Sequence, residues 1–168
     1  MSAVIMDGKA LAEKIKGEIA SQVLKMNKKP ALGTILVGSD PGSIAYVDGK
    51  HRDCAQVGIK SIKVNLPDSA TTAQVLAAVE ELNQNPECTG FIVQLPLPKS
   101  VDTEKVLLAI DPSKDADGLN PINLGKFTLG TGAIFPCTPK AIIALLNEYK
   151  VKLSGANALI IGLSLIHI

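Results

Sequence analysis

The chain has 168 residues, of which 46% are hydrophobic and only 3% aromatic. Its 17 Lys and Arg residues nearly balance 16 Asp and Glu residues, so no strong field draws the chain to nucleic acid or to a membrane surface. This composition favours one aliphatic α/β core, with small molecules or further copies of the same chain as partners.

The cysteines and the apolar segments indicate a cytoplasmic protein. Charged residues interrupt the start of the chain, so no segment of the signal-peptide kind is expected there. The apolar stretch 158–168 is shorter than the about 20 residues that span a bilayer. His51 and His167 have no companions at metal-ligand spacing, and no metal site is predicted. Three widely spaced cysteines argue against a disulfide framework, and we expect all three to be buried, reduced thiols: Cys54, Cys88 and Cys137.

The first third of the chain alternates helical and strand patterns. Apolar residues that recur every four positions predict a helix that Asp7 caps. The apolar run 31–37 predicts the first strand, and a second helix is expected over 43–58, where a glycine ends it. The alternating residues 59–66 predict a second strand.

The middle of the chain continues the alternation. Thr71, with Gln74 three residues later, forms a capping box that predicts a third helix. The apolar run that starts at Gly90 predicts a buried strand, and Asp102 predicts the start of a short fourth helix. Strands that alternate with helices imply βαβ units and a parallel sheet, which is an α/β fold.

Gln94 stands at the carboxyl end of that buried strand, because the prolines at 96 and 98 cannot continue a sheet ladder. In an open parallel sheet this end of a strand faces the ligand crevice. The glutamine amide offers a carbonyl and two N–H groups to a bound molecule without a charge to desolvate. The alternative is an amide that caps its own loop.

A long Gly- and Asp-rich connection, 111–137, then breaks the rhythm, and connections of this length are usually functional or lie between domains. Thr138 followed by Pro139 predicts a helix start, with a capping hydroxyl and a proline at the first helical position. The run Ala158 to Ile161 predicts a further strand that ends at Gly162. A strand followed by one glycine is a weak signal for a dinucleotide phosphate loop.

Tyr46 and Lys50 are four residues apart, so they share one face of the second helix and can reach the same small volume. A lysine in a partly desolvated cleft can exchange its proton near neutral pH, as proton-transfer catalysis requires. The alternative is a solvated lysine beside a core tyrosine, and the spacing by itself favours it.

Asp115 and Asp117 flank one alanine in the long connection. The pair can be read as a metal-binding loop, although further oxygen ligands are missing. It can equally be an Asx-turn before Gly118. A third reading is a carboxylate that accepts two parallel N–H groups from an amidine-like ligand edge.

Five motifs together resemble the bifunctional methylenetetrahydrofolate dehydrogenase/cyclohydrolases (FolD). They occur in that family's order and spacing and cover nearly the whole chain: Tyr46-Val-x-x-Lys50, Gly90-Phe-Ile-Val-Gln-Leu-Pro-Leu-Pro98, Lys114-Asp-Ala-Asp-Gly-Leu119, Asn123-Leu-Gly125 and Phe135-Pro-Cys-Thr-Pro139.

The resemblance implies a role for each site residue. Lys50 would be the main proton-transfer residue, with Gln94 supporting it and Tyr46 packing against the folate rings. Asp117 would accept the N–H edge of the pterin, whose ring N–H lies beside an amino group. The folate cleft would be lined by Val93 and Leu95.

The resemblance also implies a reaction, a cofactor and two domains. The reaction is NADP-dependent oxidation of 5,10-methylenetetrahydrofolate, followed by hydrolysis of the methenyl product to 10-formyltetrahydrofolate. We expect a folate-binding domain over 1–137 and the start of a Rossmann-type NADP-binding domain over 138–168, with cofactor contacts at Gly162 and Ser164. The family further implies a homodimer.

The last residues depart from the family. Leu163 stands where arginine is usual, and 165–168 match nothing in the family pattern. We therefore expect a truncated, frame-shifted or deliberately shortened chain that does not bind NADP tightly. Two rivals remain: a non-catalytic fragment that only binds folate or a partner chain, and an unrelated nicotinamide-dependent dehydrogenase.

Overall fold

The computed structural model describes residues 4–132 and 134–161. Within those residues, three strands and six helices follow one another along the chain. Their bounds are α1 Gly8–Lys25, β1 Ala31–Val37, α2 Pro41–Val57, β2 Lys60–Leu66, α3 Thr72–Gln84, β3 Gly90–Val93, α4 Thr103–Ala109, α5 Pro121–Thr128 and α6 Cys137–Glu148.

The three strands form one parallel sheet in the order β2-β1-β3, which confirms the predicted α/β fold with parallel βαβ units. Ala31 of β1 lies opposite Lys60 of β2, and Leu32 lies opposite Gly90 of β3. The loop after α4 runs parallel to β3 and pairs with it through one short bridge, between Phe91 and Asp115. There the Phe91 N–H donates to the carbonyl of residue 114 at 2.8 Å, and the Ala116 N–H donates to the Phe91 carbonyl at 3.1 Å.

Side-chain caps fix where most of the helices begin. The carboxylates of Asp7, Asp40 and Asp102 each accept a backbone N–H of the first turn, and Thr71 completes the predicted capping box. These contacts satisfy N–H groups that have no partner inside the helix. Helix α2 begins two residues before the predicted Ser43, because Asp40 is the cap and Pro41 occupies the first turn.

The core lies between the sheet and helices α3 and α4. Its fully buried side chains are aliphatic apart from one phenylalanine, and they include Ile35, Val75, Val79, Leu82, Phe91 and Val106. Gly33 of β1 allows the tightest contact there. A Cβ at this position would lie 2.8 Å from the Phe91 Cβ and 3.1 Å from both the Cys88 Sγ and the Leu82 Cδ1.

We expect Gly33→Ala to destabilise the chain by about 1 to 3 kcal/mol, because an added methyl forces a packed core to shift. Gly17→Ala is the matched control: Gly17 lies inside α1, and a Cβ there meets nothing within 4 Å. That variant should gain about 0.5 to 1 kcal/mol, because alanine loses less backbone entropy in a helix than glycine does. Urea unfolding measures both changes, and a Gly33→Ala variant as stable as the parent would contradict the packing.

Three sequence predictions are corrected near the end of the chain. Helix α5 lies inside the connection that was expected to be a loop, and Asn120 caps it ahead of Pro121. Helix α6 starts at Cys137 without a side-chain cap, so Thr138 is not its capping residue. The predicted strand Ala158 to Ile161 is exposed coil, since a strand needs a hydrogen-bonded neighbour and the described residues provide none there.

The burial of the three cysteines differs in part from the prediction. Cys54 and Cys88 are buried free thiols as expected, whereas Cys137 is exposed at the start of α6. No described helix is both long enough and apolar enough to cross a membrane.

Candidate active site

Lys50 and Gln94 meet at the carboxyl end of the sheet. The Lys50 Nζ, which projects from α2, donates to the Gln94 Oε1 at 2.9 Å. The Gln94 Nε2 donates to the Leu95 carbonyl at 2.7 Å, and the Gln94 backbone N–H donates to the Ile35 carbonyl of β1 at 2.9 Å. Both ends of the amide are therefore in use, and its oxygen is held toward the lysine.

Tyr46 lies one helical turn before Lys50 and is 69% exposed. The alternative of a core tyrosine is therefore wrong, and the ring is free to stack on a ligand. Leu95 is half-buried beside Gln94. Val93 is 3% exposed and packs in the core, so its side chain helps to hold β3 in place, and its contact with a ligand stays a prediction.

The two aspartates of the 114–119 motif have separate environments, and Asp115 is the structural one. It is 1% exposed, and its Oδ1 accepts the N–H groups of Gly118 and Leu119 at 3.0 and 3.3 Å. Its Oδ2 accepts the Asn120 N–H and the Asn123 Nδ2, both at 2.9 Å. Asp115 therefore joins the loop to α5, and its partners lie three to eight residues ahead, not two residues ahead as in an Asx-turn.

Lys114 anchors the same loop on its other side, a role that sequence reasoning missed. Its Nζ donates to three backbone carbonyls at the end of α3, those of Leu82, Asn83 and Asn85, at 3.0, 2.6 and 2.9 Å. These carbonyls lie at a helix end, where they lack intrahelical partners and where a cation is favoured. Lys114 and Asp115 together hold the backbone on both sides of Ala116.

Asp117 follows as the free carboxylate of the pair. Burial raises its pKa above the usual range; the Lys50 charge opposes that rise, and the Asp115 charge adds to it. Its carboxylate is thus partly desolvated and lies close enough to Lys50 to interact with its charge. Two carboxylate oxygens can accept two parallel N–H groups, so Asp117 is fit to bind a planar donor edge.

We expect Asp117→Asn to stabilise the chain at neutral pH. The native pKa lies above the unfolded value of 3.8, so the charged carboxylate costs stability above the native pKa. That cost declines as the pH falls through the native pKa, and it vanishes below 3.8 because both states are then protonated. Urea unfolding at neutral and at acidic pH should therefore show a gain in the variant that shrinks with acid.

Asp111→Asn is the control on the same loop, and its expected change in stability has the opposite sign. The hydrogen bonds from Ser113 lower the pKa of Asp111, so this variant should lose stability at neutral pH. An Asp117→Asn variant that is less stable than the parent at every pH would contradict the desolvated carboxylate.

Cys137 lies against the Asp117 loop and is the other residue that sequence reasoning missed. Its Sγ donates to the Ala116 carbonyl oxygen at 3.6 Å. Gly118 allows this approach: its φ is +70°, and a Cβ there would lie 2.9 Å from the Pro136 nitrogen. The signal in the sequence was the predicted helix start directly after Cys137.

The remaining candidates lie apart from this cluster. The His51 Nε2 is buried against the Thr34 Oγ1 of β1 at 2.8 Å, and burial lowers the pKa of His51, so this histidine is a neutral core group. Among the described residues, no three His, Cys, Asp or Glu side chains come together as metal ligands. Gly162 and Ser164 lie outside the described residues.

Comparison with known proteins agrees with the resemblance in the sequence. The catalytic-domain profile of the tetrahydrofolate dehydrogenase/cyclohydrolase family matches residues 6–117. The structure is similar to that of the bifunctional FolD enzyme of Campylobacter jejuni, with a TM-score of 0.86 and 37% identity over 89% of this chain. It is also similar to the 5,10-methylenetetrahydrofolate dehydrogenase of the silkworm Bombyx mori, with a TM-score of 0.86 and 34% identity over 89% of this chain.

A third similar structure is the Trypanosoma brucei dehydrogenase-cyclohydrolase in complex with NADP and an inhibitor. Its TM-score is 0.88, with 34% identity over 92% of this chain. The chain spans about half the length of these three proteins, namely 55%, 53% and 55% of each.

Proposed function

Since the chain belongs to the tetrahydrofolate dehydrogenase/cyclohydrolase family, we propose that it binds reduced folates and carries the proton-transfer group for hydrolysis of the methenyl form. The observation that supports this proposal best is the contact between the Lys50 Nζ and the Gln94 Oε1, with the Asp117 carboxylate near the same ammonium group. The carboxyl end of the sheet thus offers a proton-transfer group, Lys50, and an acceptor for the N–H groups of a planar ligand, Asp117.

In this proposal Asp117 binds and Lys50 transfers protons. The pterin of a reduced folate presents a ring N–H beside an amino group, and the two oxygens of Asp117 accept them. Tyr46 stacks on the ring system from the exposed side of α2. The methenyl carbon, which is cationic, then faces Lys50.

Hydrolysis adds water to the methenyl carbon, opens one carbon–nitrogen bond and releases a proton. Lys50 takes the proton that the attacking water loses and returns one to the nitrogen that leaves, so one amine serves both transfers. Gln94 holds the amine through its oxygen and adds no charge beside the cationic carbon. These roles belong to the cyclohydrolase step.

The oxidation step of the family would require NADP, which the Trypanosoma brucei relative binds. A pyrophosphate needs a glycine-rich turn between a strand and a helix whose N–H groups are free. The β1–α2 turn has Gly38 and Gly42, but the Asp40 carboxylate caps its helix and the Asp68 carboxylate accepts from Ser39. Two carboxylates there repel a phosphate, so this turn does not fit the pyrophosphate of the cofactor.

The test is a calorimetric titration with 5-formyltetrahydrofolate, which is stable in air. We expect binding by the parent chain and a loss of about ten- to a hundredfold in affinity for Asp117→Ala, since about 1.5 to 3 kcal/mol is lost with a charged acceptor. Asp111→Ala is the matched control, because it removes an exposed aspartate of the same loop, and it should bind like the parent.

Hydrolysis of methenyltetrahydrofolate, followed by its absorbance, separates the remaining possibilities. Binding with hydrolysis supports the proposal, and binding without hydrolysis supports a folate-binding fragment. The rival of an unrelated nicotinamide-dependent dehydrogenase is excluded by the family match. The division into domains at 137/138 and the homodimer stay predictions.

A further inference from the structure

The buried face of α2 contains a histidine at a position where an aliphatic side chain would pack as well. His51 lies about one turn from both Val47 and Cys54 on that face, and all three are buried. The His51 Nε2 shares a hydrogen bond of 2.8 Å with the Thr34 Oγ1 of β1, a side chain that is 1% exposed. The other ring nitrogen, Nδ1, is buried and has no hydrogen-bond partner among the described residues.

The pair of His51 and Thr34 gives α2 a defined orientation and little stability. A buried nitrogen without a partner costs free energy, and one neutral hydrogen bond offsets only part of that cost. Apolar packing is non-directional, so it fixes no particular rotation of a helix, whereas a hydrogen bond depends strongly on distance and angle. The contact therefore fixes the rotation of α2 about its axis and its position along β1.

The same contact adjoins the pair of Lys50 and Gln94 in both segments. Lys50 directly precedes His51 on α2, and on β1 Ile35 directly follows Thr34. The Ile35 carbonyl accepts the Gln94 N–H at 2.9 Å, and the Gln94 Oε1 accepts from the Lys50 Nζ at 2.9 Å. Three hydrogen bonds thus close one ring through α2, β1 and the segment after β3.

The ring of contacts couples the two side chains of α2. Consecutive residues of a helix point about 100° apart, so Lys50 and His51 reach different sides of the same turn. A rotation that moved His51 off Thr34 would move the Lys50 Cα as well. The lysine stem is flexible, so the helix must place its Cα correctly if the ammonium group is to stay within about 0.5 Å of a productive position.

We propose that His51 is a positioning residue for Lys50, whose contact with Thr34 sets the rotation of α2 and thereby holds the lysine amine at Gln94 for hydrolysis of the methenyl form. This inference rests on the proposed function. His51 itself neither touches the ligand nor transfers a proton, because its ring is buried between α2 and the sheet.

The ring is neutral in this role. Burial lowers the pKa of His51, and the Lys63 charge of β2 lowers it further, whereas the Asp48 charge of α2 raises it. Asp48 and Lys63 are 3.6 Å apart as an ion pair, so their charges largely cancel at the ring. Glutamine, a neutral amide whose Nε2 has the reach of the ring nitrogen, can therefore replace the contact. Leucine fills a similar volume without a hydrogen bond.

The first experiment measures the exposure of the Lys50 amine without any folate. Acetic anhydride at low dose acetylates amines, and mass spectrometry gives the rate at each lysine. In the parent chain Lys50 should react more slowly than the exposed Lys25, because the Lys50 amine is half-buried and donates to Gln94. His51→Leu should raise the Lys50 rate about two- to tenfold, and His51→Gln should keep it low. An unchanged Lys50 rate in His51→Leu would overturn the inference.

The second experiment compares stability with hydrolysis. The double variant His51→Leu with Thr34→Val should unfold at a urea concentration no lower than that of the parent, because it removes the unpartnered nitrogen. It should nevertheless hydrolyse methenyltetrahydrofolate about ten- to a hundredfold more slowly, because the amine is misplaced. Its affinity for 5-formyltetrahydrofolate should stay unchanged, since Asp117 and Tyr46 remain. His51→Gln should restore the rate.

Val57→Ala is the matched control for the packing of α2. Val57 is 6% exposed at the end of that helix, so its variant should unfold at lower urea concentration and, while folded, hydrolyse like the parent. If Val57→Ala loses as much rate as His51→Leu, any loosening of α2 has the same effect and the positioning role is wrong. It is also wrong if the double variant hydrolyses like the parent, or if His51→Gln is as slow as His51→Leu.

The two experiments distinguish this inference from the proposed function. A parent chain that neither binds 5-formyltetrahydrofolate nor hydrolyses the methenyl form overturns the proposed function and the role of His51 in hydrolysis together. The acetylation rates then show separately whether His51 holds Lys50 at Gln94. Hydrolysis that is the same with and without the His51 contact overturns only the inference.

Discussion

Asp115→Asn is expected to destabilise the chain by about 3 to 5 kcal/mol, because it removes the charged acceptor that anchors the 114–119 loop. The Asp115 carboxylate accepts four N–H groups while 1% exposed. An asparagine has the same shape, but its NH2 group is a donor and would face N–H groups that are also donors. At least two hydrogen bonds to a charged acceptor are therefore lost. Urea unfolding at neutral pH measures the change.

Asp111→Asn on the same loop is the control for charge and position. Asp111 is exposed and accepts only from Ser113, so its variant should lose far less stability. If both variants unfold at the same urea concentration as the parent, Asp115 does not anchor the loop. Asp115→Glu, which keeps the charge but lengthens the side chain, should fall between the parent and Asp115→Asn.

Lys50→Met is expected to lower hydrolysis of methenyltetrahydrofolate by about a hundred- to ten-thousandfold, which is the usual contribution of a positioned acid–base group. Folate affinity should change little, because methionine keeps the length of the aliphatic stem and Asp117 remains in place. The measurement is single-turnover hydrolysis alongside the calorimetric titration.

Lys25→Met is the control for loss of a lysine. Lys25 lies in the last turn of α1, which leads into the amino end of β1. Gln94 lies at the opposite, carboxyl end of the sheet. It should hydrolyse like the parent chain. Retained hydrolysis in Lys50→Met would remove this residue from the mechanism and leave the chain as a folate-binding module.

The first part of the fold could be predicted because its signals are local. Capping side chains and aliphatic periodicity gave α1, β1, α3 and β3 nearly to the residue, since each depends on neighbours in sequence. Helix α5 was missed although Asn120 and Pro121 form a cap and a first-turn proline, because the surrounding glycines and aspartates indicated a loop. The strand expected at 158–161 is wrong, because strands depend on a partner that no local pattern guarantees.

The site was predictable only in part. The spacing of Tyr46 and Lys50 placed them on one helix face, and Gln94 was correctly placed at the strand end. Which aspartate turns inward could not be predicted, because that depends on Asn123 reaching back from α5. The approach of Cys137 likewise depends on the path of 134–136 over Gly118, which is a tertiary contact.

The double anchoring of the 114–119 loop has a consequence for the kinetics of ligand capture. Lys114 ties the loop to α3, and Asp115 ties it to α5, so its chain entropy is lost during folding and not on binding. A ligand would meet an acceptor surface that is already formed, and association should proceed in one step without a slow rearrangement. The same anchoring should make the amide hydrogens of Gly118 and Asn120 exchange with deuterium only as fast as the whole domain opens.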